Sequence, residues 1–429
     1  MHIVARARAF VESLMAIGRR RDVERRRCRT CQSTQVYKHG CYSRHPWTLE
    51  GRKVVAVQRY RCQSCGATHS DEHPDLLPGS WYARSVRRYA IDHWLHAGSS
   101  LRRVAELVRS LIGRQERWHI WHVGSTLDPA RPRCRLSHST LHYWLDQAGR
   151  RAEGQVEGLY EGVPASGRMG ADGLWARLRG GAVRALLLLR DSVTGLLWPP
   201  VVATAEEAAT AWAALFAQAR RTGLVLEDLR VVVSDGAQGL LSYLRDTLPH
   251  VYQQRCIFHL WRNLSGELAR QAAQAAEALE HHAAQQARTR VRRELAALVH
   301  RVVDAEGFAA AEEALAQLKA HPQGGGLWKV LNARCIELLT HRMDEHNGVG
   351  RVTPEWMWRD FRLRLSRGRN HGSEDRLRRA GLIFTIYRNF TPAQQRRERT
   401  RRYRHPGKSA LEVTGVAPGG CSYLDALQV

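Results

Sequence analysis

The segment from Leu229 to Leu264, LRVVVSDGAQGLLSYLRDTLPHVYQQRCIFHLWRNL, constrains this chain most. A short β-branched run, Val231 to Val233, leads into Ser234 and ends on Asp235 and Gly236, the pattern of a buried strand closed by a turn. A helix-like stretch follows, then Pro249, then the CxxH of Cys256 and His259. Strand, turn and helix in this order imply an α/β arrangement. A carboxylate at the end of a buried strand is well placed to hold a hard cation at the edge of a sheet.

The surrounding composition is strongly basic. The chain of 429 residues carries 66 Lys+Arg against 41 Asp+Glu, a formal net charge of +25. Such an excess favours a polyanionic partner, with nucleic acid ahead of anionic membrane. No apolar run approaches the length a membrane span needs, and Ala185–Leu189 is short enough to be a strand. The first 21 residues lack the uninterrupted apolar stretch of a signal peptide, so a cytoplasmic, nucleoid-associated protein is expected. The length allows roughly two to four domains, and 44% hydrophobic residues suffice for a real core. Lysine stands only at positions 38, 53, 319, 329 and 408, so arginine carries nearly all the positive charge. Arginine suits bidentate phosphate contacts; a GC-rich genome also explains arginine over lysine, but not the net excess.

Nine cysteines are present, and four form two tight pairs, Cys28/Cys31 and Cys62/Cys65. Two CxxC knuckles can offer four thiolates to one tetrahedral zinc. Gln32-Ser33 and Gly66 suit the knuckle turns, and Lys53–Tyr60 between them reads as a strand. A structural zinc ribbon over residues 27–75 is therefore expected, behind a basic segment 1–26. Its role is either DNA contact or scaffolding; Arg25, Arg26 and Arg27 favour DNA, because phosphate neutralisation needs clustered cations.

Residues 76–155 read as helical. A first helix over 80–98 stops at Gly98, and Ser99 or Ser100 caps a second, LRRVAELVRSL, with Leu101, Val104, Leu107 and Val108 on one face. Residues 114–133 are polar with two prolines and read as a loop. A third capped helix opens near Leu136 and ends at Gly149. This order suits a helix-turn-helix with a long insert, with His138, Ser139, His142 and Tyr143 as candidate base-edge contacts; an ordinary helical linker domain is the plainer alternative.

From Met169 strands take over. Met169–Leu178, Arg184–Arg190 and Leu196–Val202 read as three strands, with a hairpin turn at Asp191–Gly195; Ala205–Thr222 reads as a helix and Val231–Ser234 as a fourth strand. Three hairpin-linked strands, a helix and a further strand are the opening order of an RNase H-like fold. Asp172 then lies in the first strand and Asp235 ends the fourth, so their carboxylates converge if the strands are neighbours. Two-metal phosphoryl transfer needs a few carboxylates holding cations roughly 3.5–4 Å apart.

The stretch DGAQGL followed by PxVYQxRCxxHxxRN resembles the second-aspartate region of Mutator-type DDE transposases of bacterial insertion sequences. Asp235, Gly236, Cys256, His259, Arg262 and Asn263 are the matching positions, and the likeness extends over about residues 165–390. It implies an RNase H-like core over 156–264, a helical insertion over 265–355 broken at residues 321–326, and a final core helix over 356–392. It also implies a third carboxylate opening that helix. Glu374 is preferred to its neighbour Asp375, because Glu374 shares helical spacing with Leu377, Gly381 and Phe384; Glu345, Glu355 and Asp360 are lesser candidates. The run Asn370-His-Gly-Ser before Glu374 departs from the family's usual pattern.

On that resemblance Asp172, Asp235 and Glu374 are the catalytic ligands of two Mg²⁺ or Mn²⁺ ions, and Cys256, His259, Arg262 and Asn263 support the site without a metal of their own. A buried cysteine and a packing histidine remain the structural alternative for the CxxH. The activity implied is cleavage at transposon ends and strand transfer into target DNA, in a homodimer or larger synaptic assembly. The rival readings are a transposase-derived DNA-binding regulator without catalysis, and an RNase H-like nuclease without strand transfer. Residues 393–429 read as a basic, flexible tail, with Arg396, Arg397, Arg399, Arg401 and Arg402 as DNA contacts or a solvated run.

Overall fold

The computed structural model describes residues 27–123, 134–343, 351, 361, 362, 372–392, 405, 407–416 and 418–429. The chain divides into two units, one of residues 1–163, 177–182 and 359–429, the other of residues 164–176 and 183–358.

The first unit begins with the cysteine ribbon. Its strands are β1 (Val36–Arg44), β2 (Trp47–Thr48), β3 (Gly51–Arg52), β4 (Val55–Cys62) and β5 (Thr68–Ser70). An antiparallel sheet runs in the order β1-β4-β5, and β2 pairs with β3 alone. The strand expected at Lys53–Tyr60 is β4, displaced by two residues. Most of β1 is exposed on both faces, so this sheet buries little apolar surface of its own, the situation in which a metal commonly supplies the fold.

Three helices follow: α1 (Arg84–Ala97), α2 (Leu101–Val123) and α3 (His138–Tyr160). Helix α1 stops where expected, at Gly98, whose left-handed φ of 57° lets its N–H bond Trp94 O. Val86, Ile91, Leu95, Val104, Val108, Leu141 and Trp144 are all buried. Arg87 is buried with them and donates from Nη2 to Trp144 O at 3.2 Å and to Gln147 Oε1 at 3.3 Å. Two expectations are corrected. The loop expected over 114–133 does not hold for its first ten residues, because α2 continues to Val123: Arg114 to Arg117 are good helix formers, and residues 124–133 lie outside the described residues. Helix α3, capped by Ser137 Oγ accepting from Thr140 N, does not end at Gly149 but runs to Tyr160.

The second unit holds the mixed sheet. Its strands are β6 (Arg168–Arg177), β7 (Val183–Asp191), β8 (Val201–Ala203), β9 (Val231–Ser234) and β10 (Tyr252–Arg255), in the order β10-β9-β6-β7-β8. The helices α4 (Ala209–Arg221) and α5 (Gln238–Thr247) lie between them in sequence. Strand β9, buried throughout, runs parallel to both β10 and β6. The hairpin turn after β7 is tied by Asp191, fully buried, whose Oδ1 accepts from Val193 N and Thr194 N at 2.8 Å. The third strand is shorter than Leu196–Val202: only β8 pairs continuously, since Pro199 and Pro200 have no N–H for the ladder. Helix α4 starts at Ala209, not Ala205, leaving Glu206 and Glu207 in the preceding turn.

Among the described residues, five further α-helices follow in this unit: α6 (Ile257–Gln274), α7 (His281–Val303), α8 (Phe308–Ala320), α9 (Gly325–Asn332) and α10 (Cys335–Leu339). The break expected at residues 321–326 separates α8 from α9. Leu260, Leu264 and Leu268 of α6 share one core with Val291, Leu295, Val299, Leu315, Leu318, Leu327 and Leu331. The helical part is therefore seated on the helix that carries His259. Glu345, Glu355 and Asp360 lie outside the described residues.

The chain returns to the first unit with α11 (Glu374–Phe390), α12 (Ala410–Val413) and α13 (Tyr423–Ala426). Gly149 is buried in α3 because α11 comes so close that a Cβ there would strike the Arg379 side chain; Arg379 in turn meets Asp146 at 2.8 Å and Glu153 at 3.1 Å. The segment after Pro406, expected to be flexible, instead carries two capping boxes, Ser409/Glu412 and Ser422/Asp425, and buries Leu411, Leu427 and Val429. Among the described residues no helix is long and apolar enough to cross a membrane.

Candidate active site and metal centre

The second unit brings the two expected aspartates together through strand register. Gly170 pairs with Val233 in the parallel β6–β9 ladder. Asp172 and Asp235 each stand two residues further along, Asp172 within β6 and Asp235 just past the end of β9. Asp172 is only 4% exposed, inside β6, and Asp235 is half-buried just beyond β9. Asp235 Oδ1 accepts from Ala237 N at 2.9 Å, which fixes the turn.

Gly236 is required by two separate features. Its φ is +85°, and a Cβ there would overlap Nη1 of Arg255. Arg255 ends β10, is 6% exposed, and feels both Asp235 and Glu337; burial nonetheless lowers its pKa. A guanidinium thus sits under the Asp-Gly turn as a fixed positive charge beside the acidic site.

Cys256 is the N-cap residue of α6 and fully buried; His259 lies in the helix's first turn. Burial pushes His259 down, but a hydrogen bond with Cys256 and the charges of Cys256, Asp172 and Asp235 outweigh it and raise its pKa. Both aspartates are therefore close enough to act on one imidazole. Arg262 and Asn263 follow one turn later and are exposed.

A third acidic group, not anticipated from sequence, joins them. Glu206 is half-buried before α4, and its Oε1 accepts from Trp175 Nε1 at 3.0 Å. Burial raises its pKa, Asp235 and Glu207 add to this, and Trp175 and His259 oppose it. In sequence it reads as one of two acids before an alanine-rich helix, an ordinary helix-dipole partner.

The four ribbon cysteines, Cys28, Cys31, Cys62 and Cys65, bring their sulfurs within 4.8 Å of one another. Cys28 Sγ is 3.5 Å from Cys65 Sγ, and Cys31 Sγ 3.6 Å from Cys62 Sγ. Each knuckle closes on itself: Gln32 N donates to Cys28 O at 2.8 Å and Gly66 N to Cys62 O at 3.0 Å. The backbone N–H groups of Cys31 and Thr30 bring the Cys28 thiol down to about 6. Four convergent thiols, one already thiolate-prone, fit a tetrahedral zinc.

The other predicted residues belong to the first unit. Glu374 is exposed in the first turn of α11, whose cap is Ser373 Oγ accepting from Arg376 N, and Asp375 meets Arg378 at 3.3 Å. His138, Ser139 and Tyr143 are exposed at the start of α3, while His142 is half-buried and its pKa is lowered by burial and by Arg376. Arg27 is exposed; Arg25, Arg26, Arg396, Arg397, Arg399, Arg401 and Arg402 lie outside the described residues.

Sheet and site define an α/β protein with acidic residues on one strand and just past the end of its parallel neighbour, on a chain that also carries a four-cysteine ribbon. Residues 200–321 match the family model described as "Transposase, Mutator family". The likeness covers that span alone and is compatible with a transposase function. Glu206, Asp235, Arg255, Cys256, His259, Arg262 and Asn263 lie inside the match, Asp172 and Glu374 outside it. No curated protein matches the chain.

Proposed function

We propose that this chain is a DDE transposase with an RNase H-like core, cutting DNA at transposon ends and joining the freed ends to target DNA. The reading is supported by the parallel pairing of β6, which holds Asp172, with β9, which ends one residue before Asp235, beside the family match at residues 200–321. Asp172, Asp235 and Glu374 would hold the divalent cations, with Glu374 assigned from the sequence resemblance. Bound there, Mg²⁺ or Mn²⁺ supplies activation of the attacking oxygen and charge stabilisation at the leaving oxygen. Water is the first nucleophile and a freed 3′-hydroxyl the second; both are in-line displacements at phosphorus, so one site serves both.

Cys256 and His259 shape the floor of the site, and Arg255 fixes the Asp235 turn from below. Arg262 and Asn263, exposed on the same helix as His259, are proposed to position DNA. The ribbon, held by zinc, and the start of α3 with His138, Ser139, His142 and Tyr143 form the proposed recognition surface; the arginines at 25–27 and 396–402 add phosphate contacts. Joining two ends requires a homodimer or larger assembly.

The test uses the purified chain with Mg²⁺ or Mn²⁺ and DNA carrying the ends of its own element. End cleavage together with joined products supports the proposal. Sequence-specific binding without cleavage points to a regulator, and cleavage without joining to a nuclease.

A further inference from the structure

We infer that Glu206 is a positioning residue of the acidic site, setting the spacing between the strand of Asp172 and the turn of Asp235; this rests on the metal-dependent reading above. Its carboxylate reaches the first of these elements twice. Oε1 accepts from Trp175 Nε1, three residues beyond Asp172 on β6, at 3.0 Å, and Oε2 fills the space over Gly173, where any Cβ would overlap it. Its backbone reaches the second. The Glu206 carbonyl accepts from Trp212 Nε1 at 2.7 Å and lies against Gly239, in the first turn of α5 and four residues past Asp235.

One residue thus braces the strand of one aspartate against the helix that follows the other. The glycines at 173 and 239 are what the close approach demands, since a Cβ at 239 would strike the backbone of the 206–208 turn and one at 173 would displace the Glu206 carboxylate. Trp212, 1% exposed in α4, anchors that turn to the core, so the brace is fixed at its far end as well. Groups that orient metal-holding residues commonly change metal affinity without touching the metal.

Mn²⁺ binding to the full chain, followed by electron paramagnetic resonance without DNA, separates this inference from its parent. Glu206→Ala is expected to weaken Mn²⁺ binding by roughly ten- to a hundredfold. Glu206→Gln keeps an acceptor for Trp175 and is expected to restore most of it. Gly173→Ala, which displaces the carboxylate and leaves Glu206 in the sequence, is expected to mimic Glu206→Ala and serves if that variant fails to fold. Asp235→Asn is the control for the site itself. Loss of Mn²⁺ binding in Asp235→Asn with unchanged binding in Glu206→Ala overturns the inference alone. Glu206→Gln as damaging as Glu206→Ala overturns it too, because the charge and not the brace would then matter. Unchanged Mn²⁺ binding in Asp235→Asn overturns the metal-site reading on which it rests.

Discussion

The Arg255 guanidinium occupies the volume that a Cβ on Gly236 would need, one residue after Asp235. Burial and charge therefore meet at a turn that only glycine can make. Gly236→Ala must either expel Arg255 or abandon the left-handed backbone, and either costs on the order of 1–3 kcal/mol. A lowered melting temperature together with weakened Mn²⁺ binding is expected; an unchanged melting curve would show that the turn is not strained.

Zinc should be integral to the ribbon. Elemental analysis is expected to find zinc bound to the four cysteines in a single tetrahedral site. Cys28→Ser or prolonged chelation is expected to release it and to expose the β1 and β4 amides to rapid hydrogen exchange, because these strands bury little apolar surface. Protons compete for thiolates, so acidification should release zinc as chelation does.

Arg379 links α11 to Asp146 and Glu153 of α3, inside the first unit. Replacing it with Met leaves Asp146 to Arg150 and Glu153 to Arg378 alone and is expected to cost about 1–3 kcal/mol. Burial opposes ionisation of Asp146, but Arg379 and Arg150 outweigh it and hold its pKa below the ordinary 3.8. A depressed carboxylate stabilises the fold above its unfolded value and loses that contribution as pH falls through the folded one. Denaturant midpoints measured from neutral pH to below 3.8 should therefore converge between wild type and Arg379→Met in acid; a constant gap would contradict the pairing.

Much of this was legible in the sequence where one local signal sufficed. Three valines before an Asp-Gly pair gave β9 and its turn, the CxxC pairs gave the knuckles, and Gly98 gave the end of α1. What depends on distant partners was not. Gly149 looks like a helix stop but is a point of close approach to Arg379. Pro199-Pro200 shortens a strand that composition alone extends. The capping boxes at Ser409 and Ser422 follow an arginine run whose composition by itself suggests a solvated tail. Glu206 looks like a helix-dipole acid until Trp175, Gly173 and Gly239 converge on it. Asp172 and Asp235 could be paired in advance only by assuming the strand order, and the parallel β6–β9 ladder now supplies it.

The central claim is that Asp235 serves divalent-metal-dependent chemistry on DNA. The most direct measurement compares wild type and Asp235→Asn on end-containing DNA with Mn²⁺, scoring cleavage and binding in the same samples. Cleavage by wild type, its loss in Asp235→Asn and equal DNA binding by both are expected. Full cleavage by Asp235→Asn would contradict the assignment.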